Sequence, residues 1–113
     1  MPTFEQLCGY LNQVQIAHHL RGRIRLRMTS YPKELQPPDS QTIEQLQTLI
    51  KQAPGVRSVR INLLARSCLI EYDPKVIPDQ AWKDFIAGIS STTALMLENI
   101  LRDTYQEIIH AQL

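Results

Sequence analysis

Arginine carries the most visible chemistry of this chain. Arg21, Arg23, Arg25 and Arg27 alternate with Gly22, Ile24 and Leu26. In an extended segment alternate side chains face opposite sides. Ile24, Leu26 and Met28 then suit a core, and Arg23, Arg25 and Arg27 stand on the other face, roughly 7 Å apart along the strand. Like charges that close require acidic neighbours, an anionic partner or open water. Three readings follow. The face is solvated or paired internally, with Glu71 as the neighbour; or it docks an acidic partner protein or the acidic C-terminal helix of a second copy, a task suited to the planar, weakly hydrated guanidinium; or it binds phosphate or nucleic acid. Nucleic acid ranks last, because base stacking needs aromatic side chains and the strands offer only Tyr72, which alternates inward. The partner-contact set is Arg21, Arg23, Arg25, Arg27 and, from a later strand, Arg60.

Histidine is the second candidate chemistry. His18 and His19 are adjacent, so in a strand they point to opposite faces and do not easily hold one ion within a chain. Either one histidine is satisfied internally and the other exposed, the favoured reading, or with His110 they form a weak iron or zinc site shared across a dimer. Cys8 and Cys68 form no CxxC and read as small core residues in a reducing compartment. No Cys–His pair at motif spacing, serine elbow or glycine-rich phosphate loop occurs, and the chain reads as a non-enzyme.

The 113 residues bound one domain with one core. The formal net charge of +1 does not call for a nucleic-acid or membrane partner. Its distribution is uneven: Arg21 to Arg66 holds most arginines, and most acids follow Cys68. A basic half followed by an acidic half neutralises itself on folding or meets a second copy. No apolar run approaches the roughly 20 residues of a membrane span, and the N-terminus does not read as a secretory signal. The expected location is cytoplasmic, with any membrane or compartment reached through a partner.

The elements that must position these residues follow from periodicity. Thr3–Val14 reads as a helix capped by Thr3, with Phe4, Leu7, Cys8 and Leu11 on one face. Gln15–Met28 carries the arginine strand, bent or bulged at Gly22. Thr29–Asp39 is a proline-rich loop. Asp39 or Ser40 caps a helix bearing Ile43, Leu46, Leu49 and Ile50, which Pro54-Gly55 ends. Val56–Leu64 alternates as a half-buried strand, and Cys68–Tyr72 is a second, stopped by Asp73-Pro74. Pro78 starts a helix whose apolar face is Trp82, Phe85, Ile86 and Ile89. Thr92 or Thr93 caps a last helix running towards His110.

This order contains βαββα, most of a ferredoxin-like unit. A complete unit has a fourth strand beside the first. The segment in that position reads as helix, so the fourth strand is missing from the reading. The exposed edge then needs either a terminal segment or a second copy. The fold class is α+β, a ferredoxin-like core with extra N- and C-terminal helices: a helix over 1–14, the core over 15–90 and a helix over 91–113.

Gly22-Arg23-Ile24-Arg25-Leu26-Arg27, Pro54-Gly55-Val56-Arg57-Ser58-Val59-Arg60-Ile61-Asn62 and Tyr72-Asp73-Pro74 together resemble heavy-metal-associated domains of metal chaperones and metal-transporting P-type ATPases. His19-Leu20-Arg21-Gly22-Arg23-Ile24-Arg25-Leu26-Arg27 fits the divergent H-x-x-G-R-x-R-x-R branch, with Arg21 where proline is common. Similar segments occur on bacterial proteins associated with iron-transporting ATPases and iron-storage compartments. The resemblance covers roughly His19 to Ile86 and implies the fold and an association with metal handling. The usual CxxC is absent, and soft-metal transfer needs thiolates, so copper-chaperone chemistry does not carry over. The expectation is a non-catalytic accessory or adaptor of bacterial metal homeostasis, iron included, that contacts an acidic protein or a metal-transporting ATPase. The alternatives are the histidine-based metal-binding or sensing module and a purely structural homo-oligomer, a homodimer being its simplest form.

Overall fold

Four helices and a four-stranded antiparallel sheet are joined in the computed structural model, which describes residues 2–28 and 39–112. Helix α1 (Phe4–Leu11) begins at Thr3. The Thr3 hydroxyl accepts the Gln6 amide at 3.2 Å, and the Gln6 side chain accepts the Thr3 amide at 2.8 Å. This reciprocal cap satisfies two otherwise orphaned donors. The helix stops three residues before Val14, once Phe4, Leu7 and Leu11 have been buried. Helix α2 (Ser40–Gln52) takes Asp39 as its cap, accepting from the Thr42 amide at 2.7 Å. Of the proline-rich loop read over 29–39, only Asp39 lies within the described residues.

The arginine segment differs from the single bent strand expected. It is a hairpin of β1 (Gln15–Leu20) and β2 (Arg23–Arg27), joined by Arg21 and Gly22. Gly22 has φ of +75°, which side-chain-bearing residues rarely adopt. The turn lacks the Asn-Gly or Asp-Gly pair that marks such hairpins in a sequence, so one alternating segment concealed two strands.

Strands β3 (Val56–Asn62) and β4 (Ser67–Tyr72) complete the sheet in the order β1-β2-β4-β3. β2, β3 and β4 hold the ferredoxin-like positions expected for them. β1 lies outside β2, where a complete unit has its fourth strand. The missing strand is therefore supplied from the N-terminal side, and a terminal segment, rather than a second copy, covers the edge of β2.

Helix α3 (Asp79–Ala87) follows Pro78, and α4 (Thr92–Gln112) is capped one residue earlier than expected: the Ser91 hydroxyl accepts the Ala94 amide at 3.1 Å. α2 packs on β3 and α4, α3 on β1 and α4. α1 meets α4 through Phe4 and Tyr105, whose rings are 5.8 Å apart, and the Tyr105 hydroxyl donates to the Pro2 carbonyl at 2.7 Å. These helices and the inward residues Ile24, Leu26, Val59, Ile70 and Tyr72 form one core around Trp82, which is 1% exposed. The opposite face of the sheet holds the exposed arginines.

Two glycines have no substitute in this packing. A Cβ on Gly22 would lie 2.9 Å from the Tyr72 carbonyl oxygen; one on Gly55, at φ of +94°, would lie 2.8 Å from a Val76 methyl. Gly22→Ala and Gly55→Ala are each expected to destabilise the fold by about 2 kcal/mol or more, combining left-handed strain with a contact that must give. Urea denaturation midpoints test this, and a loss below about 0.5 kcal/mol at either position would contradict it.

Candidate functional site

The register places the arginines in rows across the open face. Leu20, Arg23, Glu71 and Ser58 form one row, and His18, Arg25, Leu69 and Arg60 the next. Gln15, Arg27, Ser67 and Asn62 form the third. Arg23 thus stands opposite Glu71, one of the two arrangements the sequence allowed, while Arg25 faces Leu69. Neither forms an ion pair with Glu71. Among the described residues no carboxylate oxygen lies within 4.0 Å of Arg21, Arg23, Arg25, Arg27 or Arg60.

That density of charge is sustainable because the face is wet. Two unit charges about 7 Å apart repel by only about 0.6 kcal/mol in water, and salt screens them further. The β2 backbone fixes the array: Ile24 and Leu26 are 0% and 3% exposed, and their burial forces the alternate side chains outward. The arrangement can bind carboxylates or phosphates. It presents no stacking platform, since Tyr72 is buried on the other side.

The histidines part company. A register shift between Ile16 and His18 turns His18 outward beside Arg25 and sends His19 inward opposite Ile24. His110 lies exposed near the end of α4. The three are not assembled within one chain, and the described residues contain no group of three or more His, Cys, Asp and Glu side chains placed to hold an ion. Burial pushes the Cys68 thiol up to about 11. Burial and, secondarily, Glu98 push that of Cys8 up to about 12, leaving both as neutral packing groups.

His19 belongs to a polar knot that periodicity did not reveal. Its Nε2 lies 2.6 Å from the Tyr72 hydroxyl and 3.7 Å from Asp79 Oδ1. The Tyr72 hydroxyl donates to Asp79 Oδ1, which also accepts the Gly22 amide at 3.0 Å. The tyrosine has one proton and gives it to the carboxylate. His19 must then be the Nε2–H tautomer donating to the phenol oxygen, which leaves Nδ1 as a buried acceptor without a partner. The knot joins β1, the hairpin turn, β4 and the first residue of α3. Burial lowers the His19 pKa from 6.5, more than Asp79 raises it. Burial alone would raise that of Asp79, but the Gly22 amide, the Tyr72 hydroxyl, His19 and Arg21 outweigh it and hold the carboxyl below its ordinary range. Tyr72 is raised, first by burial and then by Asp79. The only sequence trace of the knot is an acid in the first turn of α3, a common site for helix-dipole pairing. Its partner Gly22 is 57 positions away.

A one-sided ferredoxin-like sheet with the arginine hairpin at its edge matches the resemblance noted in the sequence, and the model of heavy metal associated domain 2 matches residues 1–111. The chain belongs to this family. The match takes in both terminal helices, so in this heavy metal associated domain the added helices lie within the span of the family. No curated protein and no solved structure matches the chain.

Because the folded pKa of His19 lies below its unfolded value, the unfolded chain binds the extra proton. Stability is full above pH 6.5 and falls as pH drops through that value towards the folded pKa. Denaturation midpoints of the heavy metal associated domain are expected to decline over this window, and His19→Gln to flatten the decline. Tyr72→Phe, which strands the His19 donor and removes a bond to a carboxylate, is expected to cost about 1–3 kcal/mol at pH 7.5 in the same assay.

Proposed function

We propose that this heavy metal associated domain is a non-catalytic accessory of bacterial metal homeostasis, with iron as its setting, and that it works by docking an acidic protein on its arginine face. Membership of the family supports the metal-related role. The observation that carries the docking reading is the row of Arg23, Arg25 and Arg27, exposed on one strand, joined across β4 by Arg60 and lacking a carboxylate within 4.0 Å among the described residues. An acidic surface, such as one on a cytosolic domain of a metal-transporting ATPase, would neutralise this array without a thiolate or an imidazole. The sequence contains no CxxC, so the domain acts by contact rather than by thiolate transfer of the ion.

Binding of the purified domain to the cytosolic domains of a metal-transporting ATPase from the same cell tests this. The triple variant Arg23→Glu, Arg25→Glu, Arg27→Glu is expected to weaken association by about a hundredfold and to remove most of its salt dependence. Association unchanged by charge reversal would refute the reading. Titration calorimetry of the wild type with ferrous iron or zinc is expected to give no saturable heat. A fixed stoichiometry that disappears with His18→Ala or His110→Ala would transfer the function to the histidines.

A further inference from the structure

Among the described residues, the β3–β4 turn carries the two most exposed large hydrophobic side chains. Leu63 is 66% exposed and Leu64 fully exposed. They are neighbours in a turn whose shape is fixed from within. The Asn62 side chain accepts the Ala65 amide at 3.1 Å, and the Leu63 carbonyl accepts the Arg66 amide at 3.3 Å. The Arg66 carbonyl accepts the Met28 amide at 3.0 Å. Arg66 itself has φ of +51°. Two leucines are thus exposed on a turn held by its own hydrogen bonds.

Basic residues surround that apex. Arg66 is in the turn, Arg27 is on the strand pair beside it, opposite Ser67, and Arg25 and Arg60 flank Leu69 two residues further back, about 7 Å along the strands. Arg25, Arg60, Leu63, Leu64 and Leu69 line one shallow cleft. Among the described residues none of these four arginines has a carboxylate within 4.0 Å. The acids of the same strand region, Glu71, Asp73 and Asp79, lie towards the opposite end of the sheet. At that end Arg21, Arg23 and Arg57 stand among these acids, whereas the apolar apex lies at the end where the arginines are not accompanied by them.

We propose that this apex is a membrane-contact site: Leu63 and Leu64 enter the surface of an anionic bilayer while Arg25, Arg27, Arg60 and Arg66 meet lipid phosphates. The order fits: the leucines occupy the turn and the arginines lie behind them along the strands, so apolar groups entering the headgroup–acyl boundary bring the guanidinium groups towards the phosphates. Stable interfacial binding takes two signals, apolar insertion and a basic patch, and both are present here. A bilayer covers exposed leucines without a matched surface, and its anionic headgroups suit the unpaired arginines beside them, whereas a protein partner would need a complementary contour. The site shares Arg25, Arg27 and Arg60 with the face proposed to dock a protein, and variants of the leucines separate the two.

Cosedimentation of the full chain with vesicles tests the proposal. Wild type is expected to bind vesicles of phosphatidylcholine mixed with phosphatidylserine and to leave pure phosphatidylcholine vesicles unbound. Leu63→Ser with Leu64→Ser, which leaves every charge in place, is expected to reduce binding by about tenfold or more. Both positions are exposed, so the variant keeps the wild-type denaturation midpoint. Leu64→Trp reports insertion directly: its emission shifts to the blue with anionic vesicles, against a constant background from buried Trp82. Failure of the wild type to bind anionic vesicles would overturn the proposal. So would a leucine variant that binds as well as wild type, since attraction would then be purely electrostatic. If binding to an acidic protein, rather than to vesicles, is lost in the leucine variant, the apex belongs to a protein interface and the membrane assignment falls.

Discussion

The Asp79 carboxylate is the point on which the architecture turns. One oxygen accepts both the Gly22 amide and the Tyr72 hydroxyl. Hydrogen bonds to an ionised acceptor are the strong ones, contributing about 1.5–3 kcal/mol where neutral pairs contribute about 1. This tie fastens the first hairpin to the start of α3. Gly22 makes the tie possible, since its left-handed backbone turns the chain and a side chain there would strike the Tyr72 carbonyl. The Gly22 carbonyl accepts the Tyr72 amide at 3.0 Å, so the same residue also anchors the end of β4. With the hairpin fixed, β1 closes the edge of β2, a position that would otherwise expose a row of unpaired backbone groups.

Closure of that edge determines what the rest of the surface can do. β2 becomes an inner strand, and Ile24 and Leu26 are sealed beneath the helices. The arginines between them have only the open face available. Core packing thus holds an array of like charge that would disperse on a flexible loop. The helices contribute indirectly, since α2, α3 and α4 pack on the inner side of the sheet and leave its outer side free. Membership of the heavy metal associated domain 2 family places the architecture among metal-associated domains. In this member the charge sits on a rigid sheet and the thiols are neutral and packed.

Much of this was legible because periodicity depends on local geometry. Phe4, Leu7 and Leu11, then Leu46, Leu49 and Ile50, announce two helices. Val59 and Ile61 announce a strand, and the alternation through Arg27 correctly separates core from surface. Thr3 and Asp39 cap where their side chains predict. The register of Arg23 against Glu71 follows once the topology is known. The hairpin was less visible, because Arg21-Gly22 carries a weak turn signature and β1 alternates in phase with β2 until the irregularity near Ala17. The cap of α4 moved to Ser91 because Ser90, Ser91, Thr92 and Thr93 form a run of four hydroxyl residues, several of which qualify locally.

The sequence by itself determined most element types, most inward and outward faces and the arginine array, since each depends on residues within one or two turns of one another. Tertiary structure alone decided that β1 fills the fourth-strand position, that His19 rather than His18 faces inward, and that Asp79 reaches Gly22. It also decided that Arg25 and Arg60 converge beside the exposed leucines. These outcomes depend on contacts between residues far apart in the chain. Strand order, a one-residue register shift and the buried partner of a carboxylate are set by packing the whole core, and no local pattern encodes them.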